Sequence, residues 1–376
     1  MERRVYTAQH ESFRGRVRGF FLDEVVPEYA TWEQTGMPSR ALWKRAGELG
    51  ILGISVPVQY GGLDDSTFKH SAVVTEEAQH AGLTLGGLRV QTDICMPYFL
   101  EYATEAQKER WLPGLTSGTT VAALAMTEPG AGSDMKAMTT RAVRDGDHFI
   151  VNGAKTFITN GLTADLVIVA VKTDPQAGRR GISLLVVDAC TPGFERGRKL
   201  EKLGLRTQDL AELSFTDMGV PSQNLLGEEN RGFEYLTSNL AQERLSIALN
   251  SQAAAAATLG RAVEACGGAS GRAPSQVTKF ALAECRTDVE AGQALADQAL
   301  ERHVEGALTP SDAAIVKLFC TEMQGRVADR CLQVIGPRGY ARTSPMGLAF
   351  ADARVSRIYG GSSEIMKVIV AQAIGL

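Results

Sequence analysis

Three successive textures divide this chain, and they constrain its fold more than any other feature. Residues 8–120 repeat apolar side chains at helical spacing, as at Phe13 and Val17. Short β-branched runs separated by Gly, Asn, Asp and Pro follow between residues 121 and 232, and helical patterns return after them. The sequence therefore predicts an α+β fold with an N-terminal α-helical domain (1–120), a middle antiparallel β-barrel domain (121–232) and a C-terminal α-helical bundle (233–376).

The charge balance and the cysteine pattern exclude several function classes. The 39 basic and 43 acidic residues give a net charge of −4, which argues against nucleic acid or an anionic membrane as a partner. No run of eighteen apolar residues occurs, so we expect no membrane insertion and a cytoplasmic protein. The six cysteines form no CxxC pair and no Cys/His spacing typical of metal sites, which predicts buried reduced thiols and no metal.

Three short strings carry the chemistry that the sequence indicates. The first, Ala125-Met-Thr-Glu-Pro-Gly-Ala-Gly-Ser-Asp134, is a glycine-opened loop rich in backbone N–H groups and hydroxyls, which suits a polar or anionic cofactor edge. The second is Lys155-Thr-Phe-Ile-Thr-Asn-Gly161, and the third is Arg357-Ile-Tyr-Gly-Gly-Ser-Ser-Glu-Ile365. Together they resemble the flavin-binding and substrate-binding segments of the acyl-CoA dehydrogenase family, and this resemblance spans nearly the whole chain.

The resemblance implies an FAD cofactor whose flavin ring lies against the first two strings. By position in those strings, Thr127, Phe157 and Thr159 are expected to contact the ring, and Met126 and Ser133 are expected to contact the cofactor. Ser133 is also expected to contact the substrate. Taken alone, Phe157 is better explained by ordinary core packing.

Gly360 raises the question of which residue acts as the catalytic base. In many members of the family a catalytic glutamate stands at this position. The chain most resembles the long-chain and isovaleryl branch, in which the glutamate lies on another helix at the start of a Glu-Arg-Leu segment. Gln242-Glu243-Arg244-Leu245 matches that segment, so the resemblance implies Glu243 as the base. Without the resemblance, the simplest interpretation of Glu243 is a surface glutamate on a helix. Glu364 is the reserve candidate for the base.

The same resemblance assigns the substrate-binding residues around the thioester. The backbone N–H of Gly360 is expected to hold the thioester carbonyl, which needs stabilisation as charge develops on its oxygen. Tyr359 and Arg244 are expected to contact the substrate, although Arg244 alone also reads as a surface charge. An acyl thioester has a weakly acidic α-proton, so a base within hydrogen-bond reach is required.

The far end of the cofactor is where the chain departs from the family pattern. The resemblance places this end against Gln276, Gln333, Gly336, Ser362 and Glu364. The Phe-Gly pair that usually precedes the glutamine is absent before Gln276, where Arg272 is a possible substitute for the family's arginine, and Pro337 replaces a glycine. Because proline lacks an N–H, a backbone contact to the cofactor could be lost there.

The resemblance implies FAD-dependent α,β-dehydrogenation of an acyl-CoA thioester to the 2-enoyl thioester, by proton abstraction at Glu243 and hydride transfer to flavin N5. It also implies an electron-transfer flavoprotein as electron acceptor and a homodimer or homotetramer. Three alternatives remain open. The substrate could be an acyl-carrier-protein thioester of a secondary-metabolite pathway, or the enzyme could use oxygen as an acyl-CoA oxidase or flavin monooxygenase. The third is a flavin-free binding protein.

Overall fold

A computed structural model of the protein describes residues 3–267 and 274–376. Helices fill the part of the chain before residue 120, and two π-helical turns, Phe21–Val25 and Val90–Cys95, continue directly into the helices that follow them. The helices are α1 (Ala8–Phe20), α2 (Val26–Thr35), α3 (Arg40–Glu48), α4 (Phe68–His80), α5 (Gly86–Arg89), α6 (Met96–Tyr102) and α7 (Glu105–Ser117).

Capping side chains explain where two of these helices begin. The sequence predicts helices at Ser71–His80 and Glu105–Leu112, and both are present but longer. Thr67 begins α4, because its hydroxyl accepts a hydrogen bond from the Lys69 backbone N–H in a capping box. Thr104 caps α7 in the same way. The first turn of α4 was missed because its cap lies four residues before Ser71.

The middle of the chain forms one sheet of eight strands. The strands are β1 (Ala122–Ala125), β2 (Arg141–Asp145), β3 (His148–Thr159), β4 (Leu166–Lys172), β5 (Ile182–Asp188), β6 (Phe194–Lys199), β7 (Leu210–Pro221) and β8 (Leu225–Leu226). Their order is β6-β7-β3-β2-β4-β5-β8, and β1 pairs with β4 outside this path.

The sheet is mixed, whereas the sequence predicts an antiparallel β-barrel. Most neighbours run antiparallel, but β1 pairs parallel with β4 along Ala122–Ala125, and β2 meets β4 in parallel at Arg141 and Lys172. Neither pair is joined by a hairpin. The chain leaves β1 through a long loop before it enters β2, so nothing forces β1 into an antiparallel register.

Helices return after the sheet and form the C-terminal part of the fold. They are α8 (Gly232–Gly267), α9 (Gln276–Val304), α10 (Pro310–Ile335), α11 (Pro345–Ala353) and α12 (Ser363–Ala373). The sequence also predicts helices at Val277–His303, Asp312–Ile335 and Ser363–Ile374, and all three are confirmed within two residues. The predicted break at 267–274 falls mainly on 268–273, which lie outside the described residues, and α11 was not predicted. The domain boundaries at 120 and 232 stay a prediction.

One hydrophobic cluster joins the helical parts to the sheet and thereby positions the site. It contains Tyr98 from α6, Leu236 from α8 and Ile168 from β4, and Met126 at the end of β1 packs against it. Such a shared core fixes these elements relative to one another because buried side chains interdigitate at crystal-like density. The end of β1 and the facing surfaces of α6 and α8 therefore lie around one core.

The sequence predicts buried cysteines, no metal site and no membrane-spanning helix. Four of the six cysteines are buried as predicted, but Cys190 is exposed and Cys266 is half-buried at the end of α8. Over the ranges 3–267 and 274–376, no group of His, Cys, Asp or Glu side chains is arranged to hold a metal ion. Within the same ranges, no helix has the length and apolarity needed to cross a membrane.

Candidate active site

Glu243 lies on the inner face of α8 and is almost completely buried, with 4% of its surface exposed. The reading of this residue as a surface glutamate is therefore wrong. The Tyr98 hydroxyl of α6 donates a hydrogen bond of 3.2 Å to its Oε1. Burial raises the pKa of Glu243 to about 7, although the Tyr98 hydrogen bond and the charge of Arg244 both act to lower it. A carboxylate with this pKa can accept a proton near neutral pH.

Arg244 is also buried, with 6% exposed, so the surface-charge reading of this residue is wrong too. Within the described part of the chain, its Nε is buried and has no hydrogen-bond partner. Burial lowers the pKa of the guanidinium, and the neighbouring Glu243 opposes that shift. Buried polar groups in proteins are normally hydrogen-bonded, so this unpaired Nε indicates a place for a polar or anionic ligand.

Gly360 packs directly on the face of α8 that carries Glu243. Its φ is +64°, and a Cβ at this position would lie 2.1 Å from Cδ1 of Ile247. Ile247 follows Glu243 by one helical turn, so both residues face the same side of α8. Gly361 is also left-handed, with a φ of +94°. The positive φ favours glycine at position 360, and a side chain there would have to displace the end of the Ile247 side chain.

Glu364, the reserve candidate for the base, has a different environment. It is exposed in the first turn of α12, whose N-cap is Ser362. A hydrogen bond from its own backbone N–H and one with the Ser362 side chain lower its pKa. An exposed carboxylate with a lowered pKa is a poor base near neutral pH, so the two environments favour Glu243. Tyr359, expected at the substrate, is half-buried beside Gly360.

A buried ion pair ties together the two strings expected to hold the flavin ring. Nζ of Lys155 donates to the Met126 carbonyl at 3.1 Å and to Oε1 of Glu128 at 2.8 Å. The Thr156 N–H donates to the Thr127 carbonyl at 2.9 Å. Lys155 is 1% exposed and Glu128 is 4% exposed. The loop after β1 is therefore fastened to β3 from inside the protein.

The direction of the pKa shifts in this pair follows from burial and charge. Burial alone would raise the pKa of Glu128, but the charge of Lys155 and hydrogen bonds from Thr139 and Thr140 lower it to about 2. Burial lowers the pKa of Lys155 to about 8, against the opposing effect of Glu128. Both groups are therefore charged at neutral pH, and each depends on the other for compensation.

Phe157 has an unusual backbone and an unusual exposure. Its φ is +56°, it interrupts the pairing of β3 with β7 between Lys155 and Ile158, and its side chain is 62% exposed. A left-handed bulky residue is strained, and such strain concentrates at functional sites. Two residues later, the hydroxyl of Thr159 accepts a hydrogen bond of 2.9 Å from Gln208. The core-packing reading of Phe157 is wrong, and its exposed ring fits a planar aromatic ligand.

Ser133 is exposed in the loop after β1, and Met126 and Thr127 are half-buried at the start of that loop. Lys155 and Thr156 join the start of this loop to the Phe157 bulge, so Met126 and Thr127 lie close to Phe157. Their hydroxyls and the exposed aromatic face suit the edge and the plane of a flavin. The residues present therefore fit an FAD ring at this place.

The residues predicted at the far end of the cofactor lie elsewhere. Gln276 is the exposed first residue of α9. Gln333 is exposed near the C-terminal end of α10. Gly336 ends α10 with a φ of +71°, and Pro337 follows it in a 3₁₀ turn. Arg272, the possible substitute arginine, lies outside the described residues. Within this one chain, these residues do not belong to the elements that carry Glu243 or Phe157.

Sequence reasoning missed three residues of this region. Tyr98 carries no signal in the sequence, because its contact with Glu243 joins two helices far apart in the chain. Lys155 stands in the second string, but the string does not show that its side chain is buried against Glu128. Lys317 is 0% exposed on α10 and donates to the Gly361 carbonyl at 2.8 Å, a contact that only the tertiary structure reveals.

Comparisons with known proteins cover the whole chain. Residues 7–119, 123–218 and 230–375 match the N-terminal, middle and C-terminal domains of acyl-CoA dehydrogenases. The long-chain specific acyl-CoA dehydrogenase of Sus scrofa mitochondria is 41% identical over 99% of this chain and 88% of that protein. The isovaleryl-CoA dehydrogenase of Pongo abelii mitochondria is 37% identical over 97% of this chain and 88% of that protein.

Solved structures agree with the sequence comparisons. The crystal structure of an acyl-CoA dehydrogenase from Geobacillus kaustophilus superposes with a TM-score of 0.97 at 44% identity, and all of both chains is covered. The order of helices, sheet and helices described above is the architecture of that enzyme. With matches to three domains and relatives above 30% identity over nearly its full length, the chain belongs to the acyl-CoA dehydrogenase family of flavoprotein oxidoreductases.

Proposed function

We propose that this protein is an FAD-dependent acyl-CoA dehydrogenase in which Glu243 removes the α-proton of the thioester. The observation that carries the proposal is the environment of Glu243. It is a buried carboxyl with a pKa of about 7, bonded only to Tyr98 among the described residues, and it shares one face of α8 with Ile247, on which Gly360 packs. A base and a carbonyl-binding backbone N–H beside each other match the requirements of α-proton abstraction.

The remaining groups then have distinct tasks. The Gly360 N–H donates to the thioester carbonyl, where negative charge develops as the α-proton leaves. Arg244 is buried, and its Nε has no hydrogen-bond partner among the described residues; it adds a positive charge beside that site and contacts the substrate with Tyr359. FAD, when bound, supplies the acceptor for the hydride that leaves the β-carbon. The product of the two losses is the 2-enoyl thioester.

For the cofactor, we propose that the residues at its ring are Met126, Thr127, Ser133, Phe157 and Thr159. The exposed ring of Phe157 supports this assignment, because it offers a flat apolar surface next to hydroxyl and backbone donors. FAD titration into the apoprotein, followed by flavin fluorescence, tests it. Binding that is unaffected by replacement of Phe157 would contradict the assignment.

The far end of FAD is proposed to lie against Gln276, Gln333, Gly336, Ser362 and Glu364, with a second copy of the chain completing the site. Exposed apolar side chains next to Gln276 support a homodimer or homotetramer, namely Val277 at 77% and Phe280 at 59% exposure. Light scattering of the purified holoprotein tests this proposal. A monomer that retains FAD would contradict it.

Two choices within the family are left to experiment. We propose a coenzyme A thioester rather than a carrier-protein thioester, because the relatives with the higher identities are named acyl-CoA dehydrogenases. We also propose an electron-transfer flavoprotein, rather than oxygen, as electron acceptor. A panel of acyl-CoA and acyl-carrier-protein thioesters, monitored by bleaching of the flavin, decides the carrier. Rapid reoxidation of the bleached enzyme by air would contradict the second choice.

The assignment of the base has its own test. Glu243→Gln keeps the shape of the side chain and its contact with Tyr98, so FAD retention should be unchanged while bleaching by substrate is lost. Glu264→Gln, at an exposed glutamate of the same helix, is the matched control, and it should bleach at a rate near that of the wild type. Turnover that survives in Glu243→Gln would refute the proposed role of Glu243.

A further inference from the structure

The loop that carries Gly360 is held in place by side chains of α10. Nζ of Lys317 donates to the Gly361 carbonyl at 2.8 Å. One turn further along α10, Glu322 accepts a hydrogen bond of 2.6 Å from the Ser363 hydroxyl and pairs with Arg357 at 3.3 Å. The segment 357–363 is therefore anchored at both ends by Glu322 and at its centre by Lys317.

The centre of this loop needs an external restraint. Gly360 and Gly361 are consecutive left-handed glycines, and glycine has the largest conformational freedom of any residue. Two such residues in sequence do not by themselves hold an N–H group in a fixed direction. Binding a carbonyl oxygen as charge develops on it requires a donor that is already oriented. The Lys317 ammonium supplies the direct hydrogen bond that fixes this pair.

Lys317 is also costly to bury, which argues against a purely structural role. Its side chain is 0% exposed, and Gly361 is its only hydrogen-bond acceptor within the described residues. The pKa of Lys317 is lowered to about 8, chiefly by burial and next by the like charge of Arg244, while Glu322 and Glu364 oppose the shift. An unpaired ammonium held beside a second buried cation destabilises the folded state. Perturbed buried charges of this kind cluster at functional sites.

We propose that Lys317 is a positioning residue for the dehydrogenation, which fixes the Gly360–Gly361 backbone so that the Gly360 N–H points at the thioester carbonyl. Its positive charge, together with that of Arg244, adds to the field that stabilises the negative charge on the carbonyl oxygen. This inference rests on the proposed function. It assigns α10 a role at the thioester, in addition to the cofactor contact proposed for Gln333.

The test uses Lys317→Met, which removes the ammonium and keeps an apolar stem of similar length. Glu322→Gln is the matched control, since it weakens the anchors of the same loop from the same helix but leaves the ammonium in place. Lys317→Gln retains a donor for the Gly361 carbonyl without the charge, and it serves if the methionine variant does not fold. All three are studied as FAD-loaded proteins, and their unfolding midpoints are recorded.

The probe is a 3-oxoacyl-CoA, whose acidic α-proton ionises in the site without turnover and whose enolate absorbs in the near ultraviolet. Lys317→Met should raise the apparent pKa of the bound probe by about one unit or more, because one unit corresponds to a tenfold weaker preference for the enolate. It should also lower kcat by about 100-fold, the usual effect of losing one carbonyl-stabilising group, with a smaller change in KM. Glu322→Gln should leave the apparent pKa of the probe near that of the wild type.

Two results separate the failure of this inference from the failure of the proposed function. If the wild type neither bleaches with acyl-CoA nor ionises the probe, the proposed function itself is wrong. If the wild type does both, while Lys317→Met and Lys317→Gln ionise the probe as the wild type does and differ only in unfolding midpoint, Lys317 is a structural anchor and the inference is overturned.

Discussion

Removing the Tyr98 hydroxyl should shift the pH dependence of catalysis to higher pH. This hydroxyl donates to Oε1 of Glu243 at 3.2 Å, and it stabilises the ionised carboxylate. A hydrogen bond to a charged group contributes about 1.5–3 kcal/mol, and a bond of this length belongs at the lower end of that range. One pKa unit corresponds to about 1.4 kcal/mol, so Tyr98→Phe should raise the pKa of Glu243 by about one unit.

The consequence for activity follows from the fraction of ionised base. Glu243 has a pKa of about 7 in the free protein, so about half of it is ionised at pH 7. After a shift of about one unit, only about a tenth is ionised at pH 7, and kcat/KM should fall about fivefold. Because the pKa of the base is raised, the decrease in kcat/KM should become smaller as the pH rises and should vanish above about pH 9.

The assay is the pH profile of kcat/KM, which reports groups of the free enzyme. Tyr102→Phe is the control, because the Tyr102 hydroxyl bonds to Ser238 and its ring stacks on Tyr235 at 4.0 Å without a hydrogen bond to Glu243. That variant should keep the wild-type profile. An unchanged or acid-shifted profile for Tyr98→Phe would refute the reasoning, because it would mean that Tyr98 does not stabilise the ionised base.

Three further changes test the packing around the site. Lys155→Met leaves the Glu128 carboxylate buried without its partner and should lower the free energy of unfolding in urea by about 3–5 kcal/mol. If adding Glu128→Gln to this variant restores none of the lost stability, the broken ion pair is not the cause. Gly360→Ala should destabilise the protein by about 1–2 kcal/mol because of its positive φ alone, and kcat should fall with it; Ile247→Ala in the same chain should recover only the part due to the steric clash. Asparagine tolerates a left-handed backbone, so Phe157→Asn should change the unfolding free energy of the apoprotein by less than about 0.5 kcal/mol. It should weaken FAD binding about tenfold in a fluorescence titration. An unchanged FAD affinity would remove Phe157 from the cofactor site.

The order of elements could be predicted from the sequence because it depends on local patterns. Apolar spacing located α9 and α10 within two residues, and β-branched runs located β4 and β5. Hydrophobic periodicity is a property of neighbouring residues, so no tertiary information is needed to read it. Helix starts were less accurate where a capping hydroxyl lay outside the apolar pattern, as Thr67 does before α4.

The pairing of strands and the environment of the base depended on contacts between distant residues. The parallel register of β1 with β4 joins Ala122 to Leu166, and no pattern within either strand specifies the direction of the partner. In the same way, the sequence places Glu243 on a helix but not inside the protein. The packing of α6 against α8 buries it, and burial sets its pKa.

The sequence by itself determined the succession of helices, strands and helices. It also identified Glu243 as the candidate base and Gly360 as the candidate carbonyl-binding residue. Those results rest on local spacing and on strings that resemble a family. Only the tertiary structure decided that Glu243 is buried against Tyr98, that the Ile247 side chain packs closely on Gly360, and that Lys317 holds the next carbonyl. Burial, close approach and charge compensation are properties of three-dimensional neighbours, and those neighbours lie up to 145 residues apart in this chain.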